Sequence, residues 1–289
     1  MNEYLGQLFR AGSIVQLATL AGMAASISFG VVGTYVVARR ISYMAAAISH
    51  SILGGIGAAV FAQEALGWVW CTPLLGSVIA AVASALIIGW VSLCWQERED
   101  TIIGAVWSVG MSVGFLFLYF TPRYRGGLEN FLLGSILYIE PKDVWLTLGL
   151  GAVVAGASVL CYPKLLAVCF DEEFARLRGV NVPGYFLMLL VLAGLAVVLL
   201  VQLAGIVLAI ALIVLPAATG LQAGRKLWHA MAVATGVAMF YVAGGIAWSY
   251  VGELPPGPAI VILAATGYFV MLAVRRVLKA KKQKADAER

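Results

Sequence analysis

Residues 185–222 read YFLMLLVLAGLAVVLLVQLAGIVLAIALIVLPAATGLQ, thirty-eight positions without a charged side chain, punctuated only by Gln202, Gly205 and Pro216. About 20 apolar residues carry an α-helix across a bilayer, so the stretch holds two crossings if it breaks near Gly205 and one if it does not. Five similar runs precede it, at 14–37, 44–62, 73–95, 101–120 and 143–162, and two follow, at 228–250 and 257–274. Splitting the stretch into 185–203 and 204–222 gives nine spans; leaving it whole gives eight. Nine spans use roughly 180 residues and leave roughly 109 for every loop and tail, so one transmembrane domain over 1–289 is expected and no second, soluble one. The fold class is all-α, a polytopic helical membrane protein of eight to nine transmembrane helices.

Composition agrees. Hydrophobic residues make up 62% of the 289 and charged residues 11%, with a mean hydropathy of +0.97, where soluble domains carry about 25% charge. A soluble enzyme, a disordered chain and a secreted disulfide scaffold are excluded. The four cysteines, Cys71, Cys94, Cys161 and Cys169, form no C-x-x-C pair, which leaves no zinc-finger or redox motif. The first run is too long for a signal-peptide core and has no basic stretch before it, so it reads as the first span.

Lysine and arginine set the orientation, because cytoplasmic loops carry their excess. With the N-terminus outside, the inner loops hold Arg39, Arg40, Arg98, Lys164, Arg176, Arg178, Arg225 and Lys226. The segment 275–289 is then a basic cytoplasmic tail with Arg275, Arg276, Lys279, Lys281, Lys282, Lys284 and Arg289, and the outer side keeps only Arg10, Arg123, Arg125 and Lys142. Seven positives directly after a span anchor to lipid headgroups; they do not point to nucleic acid. All fourteen acids, Glu64, Asp100, Glu140, Asp171 and Glu253 among them, fall in loops, at span ends or in tails. A proton- or sodium-coupled carrier usually keeps an ionisable group in mid-membrane, so a self-sufficient secondary carrier or channel is disfavoured.

Two features bear on chemistry. His50 is the one histidine well inside a span, since His229 falls at a predicted edge beside Arg225 and Lys226. An intramembrane imidazole is costly unless it faces a cavity or a partner, and it is a ready transition-metal ligand; equally, it serves as a core side chain bonded to a backbone carbonyl. Its own helix face offers Ala46, Ala47, Leu53 and Gly54, so any second ligand comes from another span or subunit. The stretch 170–182 reads as a short cytoplasmic helix, with Asp171, Glu172 and Glu173 in the first turn, Arg176 and Arg178 in the last, Gly179 at C′ and Pro183 as the stop. Phe170, Phe174 and Leu177 line one side, either to dock into a partner's groove or to lie on the protein's own bundle.

The packing devices are the Gly54-Gly55-x-Gly57 cluster and the steps Ser26/Gly30 and Gly110/Gly114. Pro216 and the run Leu254-Pro255-Pro256-Gly257-Pro258 mark broken or capped helix ends. No G-x-x-x-x-G-K-[ST], G-x-S-x-G, H-E-x-x-H or G-x-G-x-x-G motif is present. The chain therefore has no phosphate loop of its own, and one histidine without mid-span acids offers no acid/base pair for an integral-membrane enzyme.

The order Arg39-Arg40-Ile41-Ser42-Tyr43, Ala47-Ile48-Ser49-His50, Glu99-Asp100-Thr101-Ile102-Ile103-Gly104, Leu133-Gly134-Ser135-Ile136-Leu137, Leu215-Pro216-Ala217-Ala218-Thr219 and Pro256-Gly257-Pro258 resembles the zinc/manganese-type permeases of ABC importers, the ZnuB-like and MntB-like membrane subunits. The similarity spans about residues 20–272. It implies a type II ABC importer of a bacterial inner membrane: two copies of this permease, two cytoplasmic ATPase subunits that bind ATP, and an extracytoplasmic metal-binding protein. Zinc is the first expected cargo and manganese the second, with another metal or a metal chelate as the alternative; no cofactor belongs to the chain itself. Asp171, Glu172, Glu173, Phe174, Arg176, Leu177 and Gly179 then match the position of the family's coupling helix, and His50 matches its membrane histidine. The family pattern usually has Asp four residues before that histidine, where this chain has Ala46. Manganese favours oxygen ligands and zinc accepts nitrogen readily, so the missing carboxylate leans the expectation toward zinc.

Overall fold

Inside a bilayer every backbone N–H and C=O has to be satisfied within its own segment, which makes a helix the outcome for each long apolar run. The structure, a computed structural model, describes residues 13–94, 99–121, 141–224 and 226–287. Arg10, Arg98, Arg123, Arg125, Glu140, Arg225, Arg289 and the motif 133–137 lie outside them.

The described elements are helices: α1 (Ile14–Ala38), α2 (Ser42–Leu66), α3 (Pro73–Cys94), α4 (Glu99–Phe120), α5 (Pro141–Leu160), α6 (Tyr162–Phe170), α7 (Glu172–Leu177), α8 (Val182–Ala223), α9 (Leu227–Gly252) and α10 (Pro256–Ala287). Seven are long and apolar enough to cross a membrane, and α5 with α6, bent by 70° at their junction, makes an eighth. The segment expected at 185–203 and 204–222 is one hydrogen-bonded run, broken at Gly205 with φ 83 and ψ 170. Its second half, Leu208–Ala223, is shorter than the other spans. Beyond 274 the basic tail carries on as helix to Ala287.

Close approaches give the sense of each helix. A Cβ on Gly22 would meet Val242 and one on Gly30 would meet Thr235, so α1 and α9 are antiparallel. Ser28 Oγ donates to the Gly151 carbonyl and Tyr35 Oη to that of Ser158, which makes α1 and α5 parallel with a constant offset of 123. Along α8, Phe186 lies against Arg39 while Leu199 comes level with Gly151, antiparallel to α1. Farther on, the Ile213 carbonyl faces Gly33, back toward the end of α1 already passed. The chain therefore reverses at Gly205. Leu199, Leu200, Val201 and Ile206 around the turn are buried, so the reversal takes place inside the bundle.

Small residues bring backbones together where the sequence pattern placed them. A Cβ on Gly55 would sit 2.1 Å from the Gly76 carbonyl oxygen of α3, and one on Gly57 2.5 Å from that of Gly114 in α4. Helix α2 is thus pressed between α3 and α4, and α1, α2 and the first half of α8 form the buried centre. Helices α4 and α10 keep most of their surface exposed.

Candidate functional site

His50 lies in the third turn of α2, between α2 and the parallel helix α4. Its Nδ1 is 2.9 Å from the Ala46 carbonyl oxygen, and the Ser49 hydroxyl donates to the same oxygen at 2.7 Å. A carbonyl only accepts, so Nδ1 carries the proton and Nε2 keeps its lone pair. Holding one ring nitrogen to a backbone carbonyl is how proteins orient an imidazole whose other nitrogen binds a metal. The indole of Trp107 stacks on the ring with centroids 4.0 Å apart and an interplanar angle of 26°. One residue along each helix, Ser51 Oγ donates to the Val106 carbonyl at 3.0 Å and fixes the register of α4 against α2.

The imidazole is half-buried. Ala46, whose side chain holds the place of the expected carboxylate, contributes its backbone oxygen instead. Among the described residues, no three His, Cys, Asp or Glu side chains gather into a group able to hold a metal. His229 stands in the first turn of α9 with its ring against neighbouring Trp228, away from α2.

At the opposite extreme of the bundle from Gly67, α7 is a six-residue helix set by its ends. Asp171 caps it, accepting from the Phe174 N–H at 2.9 Å. Glu172 and Glu173 occupy its first turn and Arg176 its last, matching the helix dipole. At the C-terminus Gly179 N–H bonds the Arg176 carbonyl and Val180 N–H that of Ala175, with Gly179 at φ 74; this is the Schellman arrangement that a glycine at C′ allows. The helix is shorter than 170–182: Phe170 closes α6, and Pro183 opens α8 in its first turn, where a missing N–H costs nothing.

Which side of α7 faces inward decides what it can do. Ala175 is fully buried against Val168 of α6 and Val182 of α8. Phe174 is 48% exposed and Leu177 88% exposed. The apolar side chains are turned away from the chain's own bundle, and the small one holds the helix down.

The sequence profile of the ABC 3 transport family matches residues 12–275. The chain belongs to the ABC 3 transport family. A protein of Chlamydia pneumoniae that carries the name of a metal transport system membrane protein is 37% identical over 258 residues, covering 89% of this chain and 87% of that one. The manganese transport system membrane protein MntC of Halalkalibacterium halodurans is 30% identical over 254 residues, 88% of this chain and 85% of that one. In the solved structure of PsaBC from Streptococcus pneumoniae in complex with Fab, one chain matches with a TM-score of 0.84 at 26% identity, over 97% of this chain and 99% of that chain. The ABC 3 transport family thus accounts for the fold: this is a multi-pass membrane subunit of an ABC transporter.

The contacts of two residues of the site were not legible in the sequence. Trp107 lies three positions before Gly110, so once Gly110 meets Ser51 across the α2–α4 contact the indole falls beside His50; nothing in the sequence reveals that pairing of helices. Arg39 read as a positive charge of the inner loops and as part of the Arg39-Arg40-Ile41-Ser42-Tyr43 motif, neither of which reveals that it pairs with Glu172 of α7.

Proposed function

We propose that the chain is the membrane-spanning permease subunit of an ATP-dependent importer of a divalent transition metal in a bacterial inner membrane. It works as two copies, with two cytoplasmic ATPase subunits and an extracytoplasmic protein that delivers the ion. The observation that carries this reading is α7, a capped and charged helix pinned by Ala175 that holds Phe174 and Leu177 out to a partner. Family membership supplies the class of partner: a subunit without a phosphate loop draws its energy from an ATPase that docks on it. The α7 end is then cytoplasmic, and so is the end of α10.

His50 is the ion-binding group on the pathway. Its Nε2 lone pair is free and its ring is locked by Ala46 and Trp107, so it offers one soft-to-borderline ligand without a conformational search. A single ligand binds too weakly to trap the ion, which suits conduction. The two-fold axis of a permease pair offers a second imidazole, and ATP-driven closure rocks the two copies between outward-open and inward-open states.

Zinc is the cargo that this ligand chemistry favours, since the carboxylate expected at position 46 is absent. Manganese is the second reading, supported by the names of relatives at 30% identity. Purification of the chain from its native membrane is the test. An ATPase subunit that copurifies, and is lost in Leu177→Asp, supports the reading; a fully active transporter without an ATPase would make it a secondary carrier or channel.

A further inference from the structure

Helix α1 ends in a turn that has no glycine. Arg40 sits at φ 63, with its N–H on the Val37 carbonyl at 3.1 Å and the Ile41 N–H on that of Val36 at 3.0 Å. An L-residue in this left-handed region is strained, a strain that a glycine there would avoid. The turn fixes Arg39, the last residue before it, and aims that side chain at α7.

From the end of α1, Arg39 meets two other elements at once. Its guanidinium pairs with one carboxylate oxygen of Glu172 in α7, and the other oxygen of Glu172 is 3.9 Å from Arg176. The same guanidinium lies 5.6 Å above the ring of Phe186, in the second turn of α8. Only 23% of the Arg39 side chain and 34% of Glu172 remain exposed. A pair this accessible adds little to stability, but it links α7 directly to the end of α1, beside the packing that runs from α7 through α6 to α1. Backbone contact joins α7 to its chain neighbours α6 and α8.

We propose that Arg39 is a positioning residue for energy coupling: through Glu172 and Phe186 it carries a displacement of α7 into α1 and α8 as one unit. This rests on α7 being the ATPase-docking helix. The docking face is Phe174 and Leu177, the link to the core is Arg39–Glu172, and the two functions are separable by mutation. Because α8 reverses at Gly205, pushing its Phe186 end moves a segment that turns back within the bundle.

The test uses the whole transporter, with its ATPase, in proteoliposomes, reading ATP hydrolysed and radioactive or fluorescent metal taken up. The variants are Arg39→Glu, Glu172→Arg, the exchanged pair Arg39→Glu/Glu172→Arg, and the milder Arg39→Lys and Glu172→Gln in case a reversal fails to fold. The single reversals and Glu172→Gln should keep the ATPase bound and hydrolysing, while metal moved per ATP falls about tenfold, the size of a typical coupling free energy. Arg39→Lys and the exchanged pair should recover most of that ratio. If the single variants transport at the wild-type ratio, the pair carries no coupling and the proposal falls, with docking by α7 untouched. If they shed the ATPase, Arg39 holds the docking helix in place and does not transmit, and the proposal falls as well. Should Leu177→Asp leave the ATPase bound, it is the reading of α7 that fails.

Discussion

Truncating both outward side chains of α7, Phe174→Ala with Leu177→Ala, should weaken association with the ATPase by about two orders of magnitude. Full burial of a Leu or Phe side chain is worth about 1.5–3 kcal/mol. Leu177, 88% exposed in the free chain, has nearly all of that still to gain on docking, about 2 kcal/mol. Phe174 is 48% exposed, its ring already partly covered by the Arg178 guanidinium 5.1 Å above it, so it brings about 1 kcal/mol more. A total of about 3 kcal/mol corresponds to about 100-fold in Kd at 1.4 kcal/mol per decade. Because neither side chain supports the chain's own core, thermal stability of the isolated permease should not move. The assay is titration of detergent-solubilised permease with the purified ATPase subunit, alongside a melting curve of the permease alone. An unchanged Kd would refute the docking face; a lowered melting temperature with a proportionate loss of binding would mean these side chains hold α7 in place.

Other outcomes follow from the geometry. Trp107→Ala removes a stacked aromatic worth about 0.5–1.5 kcal/mol, and should raise the KM for metal severalfold with kcat unchanged, whereas Trp107→Phe should stay near wild type; kinetics of uptake decide. Gly55→Leu drives a side chain into the Gly76 carbonyl and should abolish assembly of folded protein, read by size-exclusion profile, while Gly104→Ala, with nothing within 4 Å, should be silent. Gly205→Ala places a Cβ at φ 83, ψ 170, essentially reserved to glycine at about 1–3 kcal/mol, and should lower the melting temperature by several degrees.

Much of the architecture was legible from the sequence because membrane spans are written in the plainest signal a chain offers, uncharged runs of fixed length. The uncertainty at 185–222 was physical: Gly205 neither charges nor visibly ends the run, and only the carbonyl of Ile213 facing Gly33 shows that the chain turns back there. The caps of α7 were readable, since Asp171, Glu172 and Gly179 act through their own backbone neighbours. Which way α7 faces was not, because Phe170, Phe174 and Leu177 suit either a partner or the bundle, and the deciding contact is Ala175 against Val168 and Val182. His50 stood out as the lone mid-span imidazole. Its tautomer and its stacking partner depend on a carbonyl four residues away and on a helix fifty residues away, and the Arg39–Glu172 pair joins residues 133 positions apart; side-chain type alone carries none of this.

The most direct measurement is the metal content of whole cells by elemental mass spectrometry, for a strain lacking this permease complemented with wild type or with His50→Ala. Under metal starvation the deletion should show a selective deficit of zinc or manganese that wild type restores and His50→Ala, assembled at normal levels with its ATPase, does not. Equal content of both metals in all three strains would contradict metal import through this chain, and full rescue by His50→Ala would remove the histidine from the pathway.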